Sequence, residues 1–313
     1  MIELADVEAA ARRISPHVRR TPLLDLGELP GGEAGARLLL KLENLQVTGS
    51  FKARGATNKV LTLPAARLAV GLVTASGGNH GLGVAFAGRL AGAPATIYLP
   101  ANVPPAKAEK LERWGAKVIW EGEIWDDANA AALAAAEREG MTYVHPFADA
   151  DVMAGQGTLA LEALDDDPGI DLFVTSIGGG GLIGGVATAV KGRSPATRMI
   201  GVEAAGAPKL HRSLREGRLI ELASVTTVAH TLASRGSHAV NFEIVRRRVD
   251  DVVLVSDDEM LAAARRLWFE AGVAAELSGA AALAALLAGR VPLAGVRAAC
   301  AVVCGAGTDG LAG

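Results

Sequence analysis

The sequence predicts an α/β protein made of two units, with parallel-type sheets flanked by helices. Three observations point there. Short apolar runs alternate with longer amphipathic stretches along most of the chain. The run Leu38–Leu42 is nearly continuous in leucine, as suits a strand buried on both faces. Glycine-rich turns at Ser76–Gly81, Gly178–Gly181 and Gly305–Gly307 stand where such strands would end.

Taken in order, Glu3 to Val18 reads as a helix, with Ala9, Ile14 and Val18 on its apolar side. Thr21-Pro22-Leu23 starts an extended segment, and Arg37–Glu43 is a strand. A helical pattern follows from Ala56 to Leu63. Expected strands Gly71–Ala75, Ala95–Leu99, Lys117–Trp120 and Tyr143-Val144 then alternate with helices Asn79–Ala91, Pro105–Trp114 and Asp126–Glu139. Gly115 ends the second of these helices. A second unit begins near Pro146 with helix Ala150–Leu164, strand Leu172–Ile177, helix Leu182–Lys191 and strand Met199–Ala204. Residues 205–240 look less regular. Strand Asp251–Val255, helices Asp257–Ala271 and Glu276–Ala288, and strand Arg297–Cys304 complete the pattern. There are no internal repeats, and no regulatory module is expected after Gly313.

Composition narrows the function classes. Of 313 residues, 50% are hydrophobic, so a sizeable core is available. The 31 basic and 34 acidic residues leave a net charge of −3, which argues against a nucleic-acid or membrane-surface partner. No apolar run reaches the ~18 residues of a membrane span. The acidic start Met1-Ile2-Glu3-Leu4-Ala5-Asp6 is unlike a signal peptide, so a cytoplasmic enzyme is expected. Cys300 and Cys304 stand four apart in one expected strand, roughly 13 Å from each other on one face. They cannot pair there, and two ligands do not make a zinc site.

Four stretches carry chemistry. Lys52 sits in the small-residue turn Thr48-Gly49-Ser50-Phe51-Lys52-Ala53-Arg54-Gly55-Ala56, between a strand and a helix. Burial there would lower its pKa and leave a neutral, nucleophilic amine. Ser76-Gly77-Gly78-Asn79-His80-Gly81 opens a helix, whose first N–H groups attract an anion. Gly178-Gly179-Gly180-Gly181-Leu182 lets backbone N–H groups approach a phosphate closely. Gly179-x-Gly181-x-x-Gly184 with Glu203 also fits a dinucleotide fingerprint, which leaves an NAD-dependent dehydrogenase as a rival. Cys304-Gly305-Ala306-Gly307 ends the last strand.

The segment Lys41 to Ala56 closely resembles the cofactor-lysine segment of pyridoxal-phosphate enzymes of the tryptophan-synthase beta fold (fold type II), most nearly the serine/threonine dehydratases. The resemblance runs from Thr21-Pro22-Leu23 to Cys304. It implies that Lys52 forms the Schiff base with pyridoxal 5'-phosphate and later acts as general base, and that Phe51 lies against the ring. It implies that Ser76, Gly77, Gly78 and Asn79 grip the substrate carboxylate, with Asn79 also touching the ring hydroxyl. Gly178, Gly179, Gly180, Gly181 and Leu182 would cradle the phosphate, and Cys304 would face the pyridine nitrogen. His80 would be structural. A small domain of residues 47–146 would be inserted into a large one of residues 1–46 and 147–313, in a homodimer or larger homo-oligomer.

The chain departs from the family pattern in places. Ala306 replaces a glycine. Lys209 stands where relatives with a cation near Glu203 have an acidic residue, so no metal is expected. Val228-Ala229-His230-Thr231 replaces Ile-Ala-Asp-Gly, which leaves His230, Arg235, Ser237 and His238 as specificity candidates. Gly77 stands where serine racemases carry a second serine. The implied activity is dehydration and deamination of L-serine or L-threonine to a 2-oxo acid and ammonia. A dehydratase of phenylserine or 3-hydroxyaspartate, an amino-acid racemase and a beta-replacement enzyme remain as alternatives.

Overall fold

Among residues 1–311, which the computed structural model describes, ten strands form two sheets. The chain enters through α1 (Leu4–Ile14), β1 (Leu23–Glu28) and β2 (Arg37–Leu42). Next come α2 (Lys52–Leu61), α3 (Ala65–Val70), β3 (Leu72–Ala75), α4 (Asn79–Ala91), β4 (Ala95–Leu99) and α5 (Pro105–Arg113). β5 (Lys117–Trp120), α6 (Trp125–Glu139), β6 (Thr142–Tyr143), α7 (Ala150–Asp166), β7 (Leu172–Ser176) and α8 (Gly181–Arg193) follow. The rest is β8 (Arg198–Ala204), α9 (Lys209–Glu216), α10 (Ala239–Arg248), β9 (Asp251–Val255), α11 (Asp257–Ala271), α12 (Leu277–Leu287) and β10 (Ala298–Val303).

The smaller sheet has the order β5-β4-β3-β6 and is parallel throughout. The larger has the order β1-β2-β10-β7-β8-β9, parallel except for its antiparallel edge strand β1. Both sheets are covered on both faces, which explains why their strands read as unbroken apolar runs. On β10, Ala299, Ala301 and Val303 join the core under α11 and α12, while Ala298, Cys300 and Val302 join the core under α7 and α8. In the smaller sheet, Leu72, Ile97 and Leu99 pack against α2, α4 and α5, and Val73, Ala75 and Tyr98 against the alanines of α6.

Most expected elements lie within about two residues of the observed ones, the usual uncertainty at element ends. The exceptions have physical causes. α1 stops at Ile14 rather than Val18, because Pro16 has no N–H to continue the ladder. α2 starts at Lys52, four residues before Ala56, so the lysine is the first residue of its helix and not part of a longer turn. α9 and α10 occupy the stretch that looked irregular. In α10 the apolar residues Val240, Phe242 and Ile244 alternate like a strand, which conceals the helix. α3 has no buried residue, and so no apolar face to read. No helix among the described residues is long and apolar enough to cross a membrane.

The strand ends matter for function. β3, β7 and β10 deliver Ser76, Gly178 and Cys304 from their C-terminal ends to one cleft between the sheets. That is where open α/β sheets bind ligands.

Candidate active site

The lysine turn is strapped to the end of β10. The Phe51 N–H donates to Cys304 O (3.1 Å), the Ala306 N–H donates to Gly49 O (2.8 Å), and Ser50 bridges Gly305. Lys52 and Cys304 are therefore held together by backbone bonds, although 252 positions separate them (304 − 52). Lys52 Nζ donates to Pro146 O at 2.6 Å and lies 5.3 Å from the centre of the Phe51 ring. Burial pulls the amine down to about 8, partly opposed by the electrostatic influence of Cys304 and Glu276. A substantial neutral fraction is then present near pH 8, as a nucleophile or base requires.

A cavity of about 760 Å³ surrounds this amine. Phe51, Lys52, Ser76, Gly77, Gly78, Asn79, Gly178, Gly179, Gly180, Gly181, Leu182 and Cys304 all line it, so the residues implied by the sequence motifs meet in one place. The N–H groups of Gly178 to Leu182 have no acceptor among the described residues. A Cβ on Gly179 would stand 2.2 Å from the Phe147 ring, and one on Gly178 2.7 Å from Thr231 O. Side chains are therefore excluded from the run and its donors stay uncovered for an anion. The N–H groups of Gly77, Asn79 and His80 are likewise without acceptors, and Ser76 Oγ accepts from the Gly78 N–H at 3.3 Å. His80 Nε2 instead contacts Val144 O at 2.9 Å, and burial holds the ring well below its usual pKa, consistent with a structural residue.

Cys304 Sγ accepts from Ser176 Oγ and faces Ser278 O, both at 3.4 Å. Burial pushes its thiol up to about 12, with Glu276 adding to the shift, so it stays protonated at neutral pH. Ala306 is exposed, and its N–H still bonds Gly49, so this departure from glycine leaves the strap intact. These groups fit pyridoxal phosphate. A half-buried amine of lowered pKa, a set of unpaired N–H donors for a phosphate and a neutral thiol share one cavity.

The specificity candidates divide. His230 and Arg235 line the cavity, Arg235 pairing with Glu221 at 3.1 Å. Ser237 Oγ donates to Gly179 O at 2.8 Å and so braces the glycine run. His238 does not line the cavity; its ring faces His145, with centres 6.5 Å apart.

Glu203 is fully buried and committed. It takes Lys209 Nζ at 3.2 Å and the N–H groups of Leu210 and His211 at 3.1 and 2.9 Å. It has no free oxygen to hold a ribose, which removes the dinucleotide reading. Among the described residues no cluster of three or more metal-ligating groups occurs. The Lys209 ammonium already balances the carboxylate, as a buried pair must. Activity is therefore expected to survive exhaustive chelation. Loss of activity in EDTA, restored by magnesium or calcium, would show that a metal is needed after all.

Three residues escaped the sequence reading. Glu276 lines the cavity and receives Asn79 Nδ2 at 2.8 Å. His145 Nδ1 accepts from the N–H groups of Phe147 (3.2 Å) and Ala148 (2.9 Å), which shapes the turn that aims Pro146 O at Lys52. Burial, reinforced by His238 and Lys52, pulls this ring down to about 4, so it remains a neutral acceptor. Trp125 Nε1 donates to Ala75 O at 2.9 Å, tying α6 to the residue before the Ser76–Gly81 turn. The only sequence signal for any of them was the His145-Pro146-Phe147 punctuation between the two units.

Fold and site together define a pyridoxal-phosphate enzyme built on two parallel-type sheets. A family profile described as "Pyridoxal-phosphate dependent enzyme" matches residues 14–305. The chain is 43% identical to an L-threonine ammonia-lyase of Thermotoga maritima over 290 residues, 92% of this chain and 71% of that protein. The solved structure of a T.th. threonine deaminase superposes with a TM-score of 0.89 at 38% identity, covering 97% of this chain and 98% of that one. Maize serine racemase gives 0.92 at 33% identity, covering 97% and 93%. The chain belongs to the pyridoxal-phosphate-dependent enzymes of fold type II, in the serine/threonine dehydratase family.

Proposed function

We propose that this enzyme is a carbon–oxygen lyase that converts L-threonine or L-serine to a 2-oxo acid and ammonia. The observation that carries the reading is the half-buried Lys52 amine, set in one cavity with two patches of unpaired N–H donors. Pyridoxal phosphate, when bound, supplies the electron sink for cleavage at the substrate α-carbon. Lys52 holds the cofactor and takes the α proton. The N–H groups of Gly178 to Leu182 hold the phosphate. Ser76, Gly77, Gly78 and Asn79 receive the substrate carboxylate, and Asn79 and Phe51 orient the ring. The Cys304 thiol, kept neutral by burial, is a weak donor to the ring nitrogen. With so weak a donor there, the site would favour elimination of the β-hydroxyl over return of a proton to the α-carbon.

The reading includes a small domain of residues 47–146 within a large one of 1–46 and 147–313, and the two separate sheets support it. It also includes a cytoplasmic homodimer or larger assembly. Phe269, 82% exposed beside Trp268 on α11, supports a surface covered by a second copy.

Likeness of fold does not separate lyase from racemase, since both occur among the structural neighbours. Gly77 does. Racemisation needs an acid on the face opposite Lys52, and Gly77 has no side chain. A Cβ there would point at Val103 Cγ1 (3.0 Å) and Leu99 Cδ2 (3.3 Å), an apolar wall. A missing proton donor is worth about 10²–10⁴-fold. With L-serine, pyruvate should therefore outrun D-serine by at least about 100-fold, followed by chiral chromatography in deuterium oxide. Comparable rates would refute the lyase, and no 2-oxo acid from either substrate would refute the whole reading.

A further inference from the structure

A half-buried carboxyl in the cavity has no part in the reaction described so far. Glu276 precedes α12 and lies on the large-sheet side of the cleft, where its N–H donates to Gly305 O at 3.2 Å. Its Oε1 collects donors from several elements. Asn79 Nδ2 reaches it at 2.8 Å from the start of α4, on the small-sheet side. Ser278 Oγ reaches it at 2.7 Å and Thr231 Oγ1 at 3.4 Å.

The chain around it is shaped to admit it. A Cβ on Gly305 would stand 2.4 Å from Glu276 Oε1 and 3.1 Å from Asn79 Nδ2. A Cβ on Gly307 would stand 2.6 Å from Glu276 Cα. The two glycines after Cys304 thus make room for this carboxyl and the Asn79 amide together. Burial pushes the carboxyl above its usual range, against the pull of its hydrogen bonds from Ser278 and Asn79. A carboxyl that gathers donors from both sides of a cavity, with glycines clearing its place, implies that its placement serves something.

We propose that Glu276 is a positioning residue: it fixes the Asn79 amide across the cleft and thereby sets the Ser76–Asn79 turn against the Cys304 end of the large sheet. The proposal rests on the lyase reading for its kinetics, but not for its structural readout. Asn79 opens the helix whose first N–H groups receive the carboxylate, so a loose Asn79 should weaken substrate binding more than turnover. Glutamine at 276 keeps an acceptor oxygen for Asn79 and removes the charge. Alanine removes both.

The test uses the cofactor-loaded full chain with Glu276→Ala, Glu276→Gln, Asn79→Ala and the double variant Glu276→Ala/Asn79→Ala. A lost hydrogen bond to a charged carboxyl corresponds to roughly tenfold or more. Glu276→Ala should raise the L-threonine KM about tenfold while kcat falls less, and should speed hydrogen exchange in residues 76–82 by a similar factor. Glu276→Gln should stay within about threefold on both measures. In the Asn79→Ala background, Glu276→Ala should add less than about twofold, because coupled residues are not additive. Full additivity, equal damage by glutamine and alanine, or unchanged exchange in residues 76–82 would each overturn the proposal. Should Glu276→Ala not fold, Asn79→Ala decides by exchange: a turn as protected as in the wild type overturns it. A wild type that exchanges as expected but releases no 2-oxo acid overturns only the lyase reading.

Discussion

Lys52→Ala should abolish 2-oxo acid release from L-threonine and L-serine. The residue is asked to do two things, to hold the cofactor and to move the α proton. A positioned general base alone contributes about 10²–10⁴-fold. With the attachment lost as well, turnover should fall by at least about 10⁴-fold, or ~5.4 kcal/mol. The fold should survive, because Lys52 Nζ makes one hydrogen bond, to Pro146 O, and removing it takes a cation out of a buried place. Borohydride reduction followed by peptide mapping should find the cofactor on residue 52 of the wild type and nowhere on the variant. A Lys52→Ala protein that eliminates water at the normal rate would end the assignment. The pH dependence follows from the same burial. The pKa is lowered to about 8, so in the cofactor-free protein the amine becomes reactive as pH rises through 8. An exposed lysine would wait until near 10.4.

That these motifs share one cavity was legible in the sequence through their resemblance to a known family, and the physics of each motif agrees with it. Four glycines in a row can only serve a close approach, and a serine–glycine turn before an apolar helix exposes N–H groups wherever it occurs. What the sequence concealed are partners brought from far along the chain. Glu276 reads as one acidic residue before an alanine-rich helix. Its meaning comes from Asn79, 197 positions away, and from glycines that looked like part of a cysteine motif. Lys209 is the opposite case. Its place beside Glu203 was legible because the family resemblance puts an acidic residue at this position, six after Glu203, and the two lie at the end of β8 and the start of α9. The helix at 239–248 was hidden because its apolar residues alternate; only its packing on α8 gives it a helical face. Arg54 was quoted as part of the lysine segment, yet nothing local shows that it is the most deeply committed charge in the chain.

Arg54→Ala should cost about 3–5 kcal/mol of stability, read as the shift of the urea unfolding curve. The guanidinium is fully buried two residues after Lys52, on the first turn of α2. It grips Glu43 with Nε and Nη2 at 2.7 and 2.8 Å, and Glu162 with Nη1 and Nη2 at 2.7 and 2.8 Å. Lys41 Nζ, also buried, takes Glu162 Oε2 at 2.7 Å. Two cations thus balance two carboxylates on β2, the turn after it, α2 and α7. Removing Arg54 leaves two carboxylates for one lysine, and an uncompensated buried charge is the costly case. Arg54→Lys should recover little, because a point ammonium cannot span two carboxylates as the planar fork does. The pH dependence has a definite sign. Burial raises the Glu162 pKa, but Arg54 and Lys41 more than offset this and hold it below the usual value. A depressed carboxylate stabilises the fold above its unfolded pKa, and that contribution is lost as pH falls through the folded value. The gap between wild type and Arg54→Ala should therefore be widest at neutral pH and narrow as the pH drops below about 4. A gap under about 1 kcal/mol at pH 7 would mean that the network is not what anchors the lysine helix. The same variant should lose activity beyond its loss of folded protein, since α2 carries Lys52 into the cavity and Arg54 fixes where that helix begins.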